Sequence, residues 1–166
     1  MTINAIIIVV ALVVLAILFM LTMLNVLAHD KTHADAAWDE LDKAWIKRRD
    51  TVPYLLESAR LDDGRWKALK EKRAELLRND LKKEERLKLE EELGNAIEAM
   101  IAIAREHEEI RKDTGFLEAE KDLRKDIPAE IDIMVEKFKK NAQDYNDKTK
   151  KFPYVIAAKI FRMKNI

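Results

Sequence analysis

Residues 3–28 form one apolar run in which only Asn4, Thr22 and Asn25 are polar and none is ionised. At ~1.5 Å per helical residue the run reaches ~39 Å, against a bilayer hydrocarbon core of ~30 Å, which is enough to span with tilt. A cleaved signal peptide would show a basic n-region and an apolar stretch of only about 7–15 residues. Here no Lys or Arg precedes the run. Residues 1–28 are therefore expected to be an uncleaved, single-pass transmembrane signal anchor.

From residue 29 the apolar positions recur at steps of three and four, the spacing of one face of a helix. The first stripe is Ala34, Ala37, Trp38, Leu41, Trp45, Val52, Leu55, Leu56 and Ala59. No Gly or Pro separates it from the span, so one helix should leave the bilayer and run to about Arg60, kinked near Pro53. Leu61-Asp62-Asp63-Gly64 reads as the turn that ends it. A second segment, from Arg65 to about Asn79, presents Trp66, Leu69, Leu76 and Leu77, and either runs on into the third or breaks at Asn79-Asp80. The third stripe is Leu89, Leu93, Ala96, Ile97, Met100, Ile103, Ala104 and Ile110. Lys112-Asp113-Thr114-Gly115 interrupts it, with Thr114 as the expected N-cap.

The fourth stripe is the most regular: Phe116, Ala119, Leu123, Ile127, Ile131, Met134, Phe138, Ala142 and Tyr145. Pro128 should bend or locally break that helix without ending the pattern, and Phe152-Pro153 closes it. Each stripe covers only part of a helix circumference, so each helix needs partners, and short connections make sequential helices antiparallel neighbours. The expected fold is all-α, an N-terminal transmembrane helix continuing into an antiparallel long-helix bundle. Residues 29–151 would form the bundle domain and 152–166 a basic amphipathic C-terminal tail.

Composition narrows the chemistry. The chain has 166 residues, 31 basic and 31 acidic, with 3 glycines and no cysteine. Disulfides, thiolate metal sites and thiol nucleophiles are excluded. The single serine, Ser58, lacks the flanking glycines of a nucleophile elbow, and three dispersed glycines cannot build a phosphate-cradling loop. No catalytic residue and no cofactor is expected. Zero net charge also argues against nucleic-acid binding.

Basic residues near the span decide orientation. The N-terminal flank has none, whereas Lys31, Lys43, Lys47, Arg48 and Arg49 follow the span. The N-terminus is therefore expected outside and the helical domain in the cytoplasm. The tail carries Lys148, Lys150, Lys151, Lys159, Arg162 and Lys164 with no acid after Asp147, interleaved with Phe152, Tyr154, Val155, Ile156, Ile160, Phe161 and Met163. Such a segment suits a helix lying on an anionic membrane surface, or a terminal helix that caps the bundle with its lysines solvated.

Several positions invite a chemical reading. Arg48 falls on the apolar face between Trp45 and Val52, where an unpaired buried charge costs several kcal/mol, roughly. It could pair with an acid on a neighbouring helix, form an anion site with Arg49, or pack its stem with the head at the bundle edge. His29 and His33 stand at metal-compatible spacing beside Asp30 but lack a third ligand, so no metal is expected. His107-Glu108 lacks the second histidine of a zincin helix, since position 111 is arginine. Glu84, Glu85, Glu90, Glu91 and Glu92, among Lys82, Lys83, Arg86 and Lys88, read as a solvated face with (i, i+4) pairs. Tyr145-Asn146 and Phe152-Pro153 read as structural, fixing the end of the fourth helix.

The run Lys47-Arg48-Arg49-Asp50-Thr51-Val52-Pro53-Tyr54-Leu55-Leu56 resembles the signature of the LemA family, in which two basic residues precede an acid and a proline flanked by aliphatics. Asp144-Tyr145-Asn146-Asp147, then Phe152-Pro153, Ala157-Ala158 and Phe161, resemble the family's closing pattern. Phe116-Leu117, Ala119 and Leu123 resemble the start of its fourth segment. The chain looks like a divergent member: Phe138-Lys139 stands where the family usually has an earlier Tyr-Asn, and Lys112-Asp113-Thr114-Gly115 replaces its Tyr-Pro. The family-motif residues carried over are Arg48, Arg49, Asp50, Pro53, Tyr145, Asn146, Phe152 and Pro153. The resemblance implies a single-pass bacterial membrane protein with a bundle of long helices and no established enzymatic activity. Relatives are tied to membrane organisation, including magnetosome formation, and others are encoded beside membrane metalloproteases.

The expected function is a non-enzymatic scaffold of the bacterial inner membrane that self-associates and organises or recruits envelope proteins. A membrane metalloprotease is one such partner. The alternative is a lipid-organising protein whose basic tail engages the anionic leaflet. The bilayer and a second copy of the chain are the expected partners, with no small-molecule substrate.

Overall fold

Long runs of Ala, Leu, Glu, Lys and Arg, with breakers at few positions, favour helix over strand. The computed structural model describes residues 3–60, 64, 66–78 and 80–166, and no strand occurs among them. Among the described residues seven α-helices occur, α1 (Ile3–Ala59), α2 (Trp66–Leu76), α3 (Lys83–Ala104), α4 (Glu108–Arg111), α5 (Thr114–Lys121), α6 (Ile127–Lys150) and α7 (Tyr154–Ile160), with a π-helical turn at Asp122–Asp126. The expected turn at Leu61, Asp62 and Asp63, the start at Arg65, and Asn79 of the expected break lie outside the described residues. Gly64 and Asp80 are in turns. The second segment does break before the third, since α2 stops at Leu76 and α3 starts at Lys83.

α1 contains a stretch long and apolar enough to cross a membrane. Its large apolar side chains between Ile6 and Phe19 are exposed in the isolated chain, as lipid-facing residues are. Past the stretch, Ala34, Ala37, Leu41, Trp45, Val52, Leu55 and Ala59 are all buried.

The chain forms two compact units, Met1–Leu41 with Met134–Ile166, and Asp42–Ile133. In the first, contacts between α1 and α6 descend along one helix as they ascend along the other. Lys137 pairs with Glu40, Asn141 donates to the His33 carbonyl at 3.3 Å, and Lys148 pairs with Asp30. The two helices are therefore antiparallel there, with the Trp38 and Phe138 rings meeting edge-on at 5.1 Å. α7 then folds onto α1, burying Met23, Leu27, Ala157 and Ala158 against one another, with Met20, Tyr154 and Met163 packed around them. Beyond the apolar stretch, full burial of a leucine such as Leu41 contributes about 2 kcal/mol.

In the second unit, Asp42 meets Arg86 and Arg48 meets Glu90, so α1 and α3 run parallel across this stretch. α2 lies against α3, and Leu76, Trp66 and Leu69 are buried, but Leu77 is exposed because the helix has already ended. The third stripe also ends earlier than expected. α3 stops at Ala104, the polar Arg105, Glu106 and His107 are exposed, and the short α4 brings Ile110 back into the core.

The next helix is capped by Asp113, not Thr114. The Asp113 carboxylate accepts from the Phe116 backbone N–H at 2.9 Å, and Thr114 is the first helical residue. Pro128 cannot donate to the carbonyl four residues before it, and its ring crowds that carbonyl. The chain widens by one residue just ahead of it, and the Ile127 N–H reaches Asp122 O. The helical path and the stripe both continue, with Leu123, Ile127 and Ile131 still buried.

Candidate functional site

Arg48 and Arg49 lie on the buried face of α1, and the acid that meets them is Glu90, a member of the run expected to be solvated. Glu90 is 1% exposed, Arg48 9% and Arg49 4%. Arg48 Nη2 donates to the Glu90 carboxylate and to the Glu90 backbone carbonyl, and Arg49 Nη1 donates to the other carboxylate oxygen. Arg49 Nη2 also lies 3.5 Å from Asp42, which accepts from Arg86 Nη1 at 2.8 Å. The pairing of Arg48 with an acid on a neighbouring helix is what forms. The anion held by Arg48 and Arg49 is the chain's own carboxylate, and the Arg48 head is not at the bundle edge.

The local sequence explains the geometry. Glu90, Leu93, Ile97, Ile101 and Ala104 share steps of three and four along α3, so Glu90 points inward with the apolar residues. Gly94, one turn further on, leaves room for the guanidinium. A Cβ at that position would stand 3.1 Å from Arg48 Nη1. Burial pushes the Glu90 carboxyl above its ordinary range, with the Arg48 and Arg49 guanidiniums acting in the opposite sense. Arg48 Nε is buried without a hydrogen-bond partner.

Ion pairs removed from water recover their desolvation only with good geometry, while deleting one partner strands the others. Glu90, Asp42, Arg86 and Gly94 were not singled out from the sequence as members of a site. The usable signal was an acid lying in line with an apolar stripe, with a glycine four residues later.

The other family-motif residues are placed as follows. Asp50 is exposed, 4.0 Å from Arg73, and Pro53 lies within α1. Tyr145 and Asn146 do not close α6, which runs on to Lys150. The Tyr145 hydroxyl donates to the Lys164 carbonyl at 3.1 Å, and burial raises its phenol above the usual range. The Asn146 side chain donates to Ile166 O at 2.9 Å and accepts from Ile166 N at 3.0 Å. Both residues therefore hold the main chain that follows α7. Phe152 is exposed, and Pro153 precedes the first residue of α7.

Lys148 is committed to Asp30, whereas Lys150, Lys151, Lys159, Arg162 and Lys164 form no ion pair among the described residues. His29 and His33 approach to 3.1 Å between Nε2 atoms and are exposed. No group of three metal-ligating side chains occurs among the described residues. His107 is exposed as well.

A model of the LemA family matches residues 37–166, beginning beyond the apolar stretch and taking in the arginine cluster and the closing motif. No curated protein and no solved structure matches the chain.

Proposed function

The chain belongs to the LemA family, and from that premise we propose that it is a non-enzymatic, membrane-anchored helical scaffold. It self-associates and organises or recruits envelope proteins, a membrane metalloprotease being one class of partner. The observation that carries this reading is the continuity of α1 from the apolar stretch into the buried bundle face, without a break between Ile3 and Ala59. A linker would let the domain diffuse around its anchor; a continuous helix transmits the position of the anchor to the bundle. Arg48, Arg49 and Glu90, the strongest polar cluster, are occupied with one another and inaccessible to a substrate. Asn25 offers the span a polar side chain through which neighbouring copies can associate.

The protein is assigned to the bacterial inner membrane with its N-terminus outside. Because the sequence has no cysteine, single-cysteine labelling at the exposed residues Glu91 and Asn4 in intact cells would read this topology directly. The scaffold itself is tested by native mass spectrometry and particle imaging of the full chain in nanodiscs. A defined multimer is expected. A clean monomer with no co-purifying protein would overturn the reading.

A second reading is favoured by the position of α7 on Met23 and Leu27, the last turns of the apolar stretch. There the basic tail engages the leaflet that α1 leaves, and the protein organises lipid.

A further inference from the structure

The end of α6, one face of α7 and the segment after it line an open, shallow cleft of about 540 Å³ whose lining includes Lys150, Lys159, Arg162 and Lys164, together with Thr149 and Asn165. No acidic side chain lines it. None of the four cations forms an ion pair among the described residues. Three other cations of the same unit are neutralised, Lys31 by Asp35, Lys137 by Glu40 and Lys148 by Asp30, whereas Lys139, Lys140 and Lys151 form no ion pair among the described residues but do not line the cleft.

The height of this cleft follows from the packing of α7. Ala157 and Ala158 bury Met23 and Leu27, which belong to the final turns of the 3–28 run. That run exceeds the hydrocarbon core by ~9 Å, or ~6 residues, and the charged Asp30 and Lys31 follow it closely, which sets its last turns next to the headgroups. Ile156, Ile160 and Phe161 are exposed on the same short helix, giving acyl chains an apolar surface beside the charges.

The backbone supplies an independent argument. α7 ends in a Schellman motif, with Met163 N–H bonded to Ala158 O at 2.9 Å and Arg162 N–H to Lys159 O at 3.3 Å. The residue after the cap must take a left-handed conformation, for which glycine is favoured. Here it is Arg162, at φ 51°. A side chain that the turn itself disfavours is present, and it lines the cleft.

We propose that Lys150, Lys159, Arg162 and Lys164 form a seat for the phosphodiester headgroup of an anionic phospholipid, in the leaflet from which α1 emerges. This inference rests on the membrane-anchored reading of α1 but not on self-association. A bound lipid would bridge α6 and α7 beside the anchor and fix the tail on the membrane surface.

The test uses the full chain in nanodiscs of phosphatidylcholine with one quarter, roughly, phosphatidylglycerol, followed by native mass spectrometry of the lipids retained. Wild type is expected to retain phosphatidylglycerol over phosphatidylcholine by at least about tenfold, since each basic group near an anionic leaflet contributes roughly fivefold and four of them line the cleft. Lys150→Gln/Lys159→Gln/Lys164→Gln should remove that preference, and Lys125→Gln/Lys139→Gln/Lys140→Gln, which removes the same number of charges at exposed positions outside the cleft, should keep it. Arg162→Gly should weaken retention while leaving the melting temperature unchanged or higher, because glycine suits the turn. This variant separates lipid binding from folding.

Equal retention of the two lipids by wild type, or a preference untouched by the triple variant, would overturn the proposal. Loss of retention to millimolar inorganic phosphate in the buffer would also overturn it, showing a free-phosphate site. The same spectra report the number of chains, so failure of the lipid seat and failure of the scaffold are read separately.

Discussion

Arg73 donates through Nε to the backbone carbonyl of Arg49 at 2.8 Å, the acceptor that Pro53 leaves without its helical N–H. In an α-helix the carbonyl of residue 49 would be bonded by the N–H of residue 53, and proline has none. A side chain from α2 thus completes the ladder of α1, tying the proline of the family motif to a neighbouring helix. Arg73→Met should lose about 1–2 kcal/mol through the orphaned carbonyl. In a Pro53→Ala background the restored N–H should shrink that loss. Urea unfolding of the four chains in this cycle measures the coupling, and an equal cost of Arg73→Met in both backgrounds would refute it.

The arginine–glutamate cluster should respond asymmetrically to deletion and to replacement. Glu90→Leu leaves Arg48 and Arg49 without their acceptor and should destabilise the fold by about 3–5 kcal/mol, whereas Arg48→Met/Arg49→Met/Glu90→Leu should recover most of that loss. Equilibrium denaturation of the two variants decides between a register-setting cluster and a net stabiliser. A triple variant as unstable as the single one would show that the ions themselves stabilise.

The same carboxyl makes a pH prediction. Burial raises the Glu90 pKa in the folded state, against the pull of Arg48 and Arg49. The folded chain then binds that proton more tightly than the unfolded chain does. The contribution of Glu90 is fully present below the ordinary carboxylate value near ~4.3 and is lost as pH rises through the raised folded value. The stability advantage of wild type over Glu90→Gln should therefore be larger at pH 4 than at pH 7. An advantage that grew with pH would mean that the two guanidiniums outweigh burial.

How far the sequence carried the fold can be judged at particular residues. Helix α1 ends at Ala59, within a residue of the expected Arg60, because an uninterrupted 3.6 period and a Gly-containing turn leave little freedom. The π-helical turn was legible only as a local break at Pro128. Its finer trace is Ala119, Leu123, Ile127 and Ile131, three successive steps of four, one too many for a 3.6 repeat. Glu90 was missed because a charge amid charges looks solvated until the opposing helix is known. The contacts of Tyr145 and Asn146 with residues 164–166 were missed for a different reason. Periodicity reports which face is buried and not which distant main chain will lie on it.

The capping assignment separates two adjacent side chains cleanly. Asp113→Ala removes the acceptor for the Phe116 N–H and should cost about 1 kcal/mol. Thr114→Ala, inside the first turn, should cost less than half of that. Thermal unfolding of the two variants is sufficient, and a larger loss at Thr114 would restore it as the cap.

Tyr145 and Asn146 clamp the segment after α7 by three hydrogen bonds, at 3.1, 2.9 and 3.0 Å. Two of these close a ring between one amide side chain and the main chain of Ile166. Each intramolecular bond contributes about 1 kcal/mol net, so Tyr145→Phe should loosen the tail slightly and Asn146→Ala more. The effect should be local, because α7 itself is held by Ala157 and Ala158 on Met23 and Leu27. Hydrogen exchange on the full chain in nanodiscs should show faster exchange at residues 161–166 in Asn146→Ala, with smaller changes at 157–158 and none within α3. Unchanged exchange at 161–166 would mean that the apolar seat alone holds the tail, and that the Tyr-Asn pair of the family motif serves another purpose.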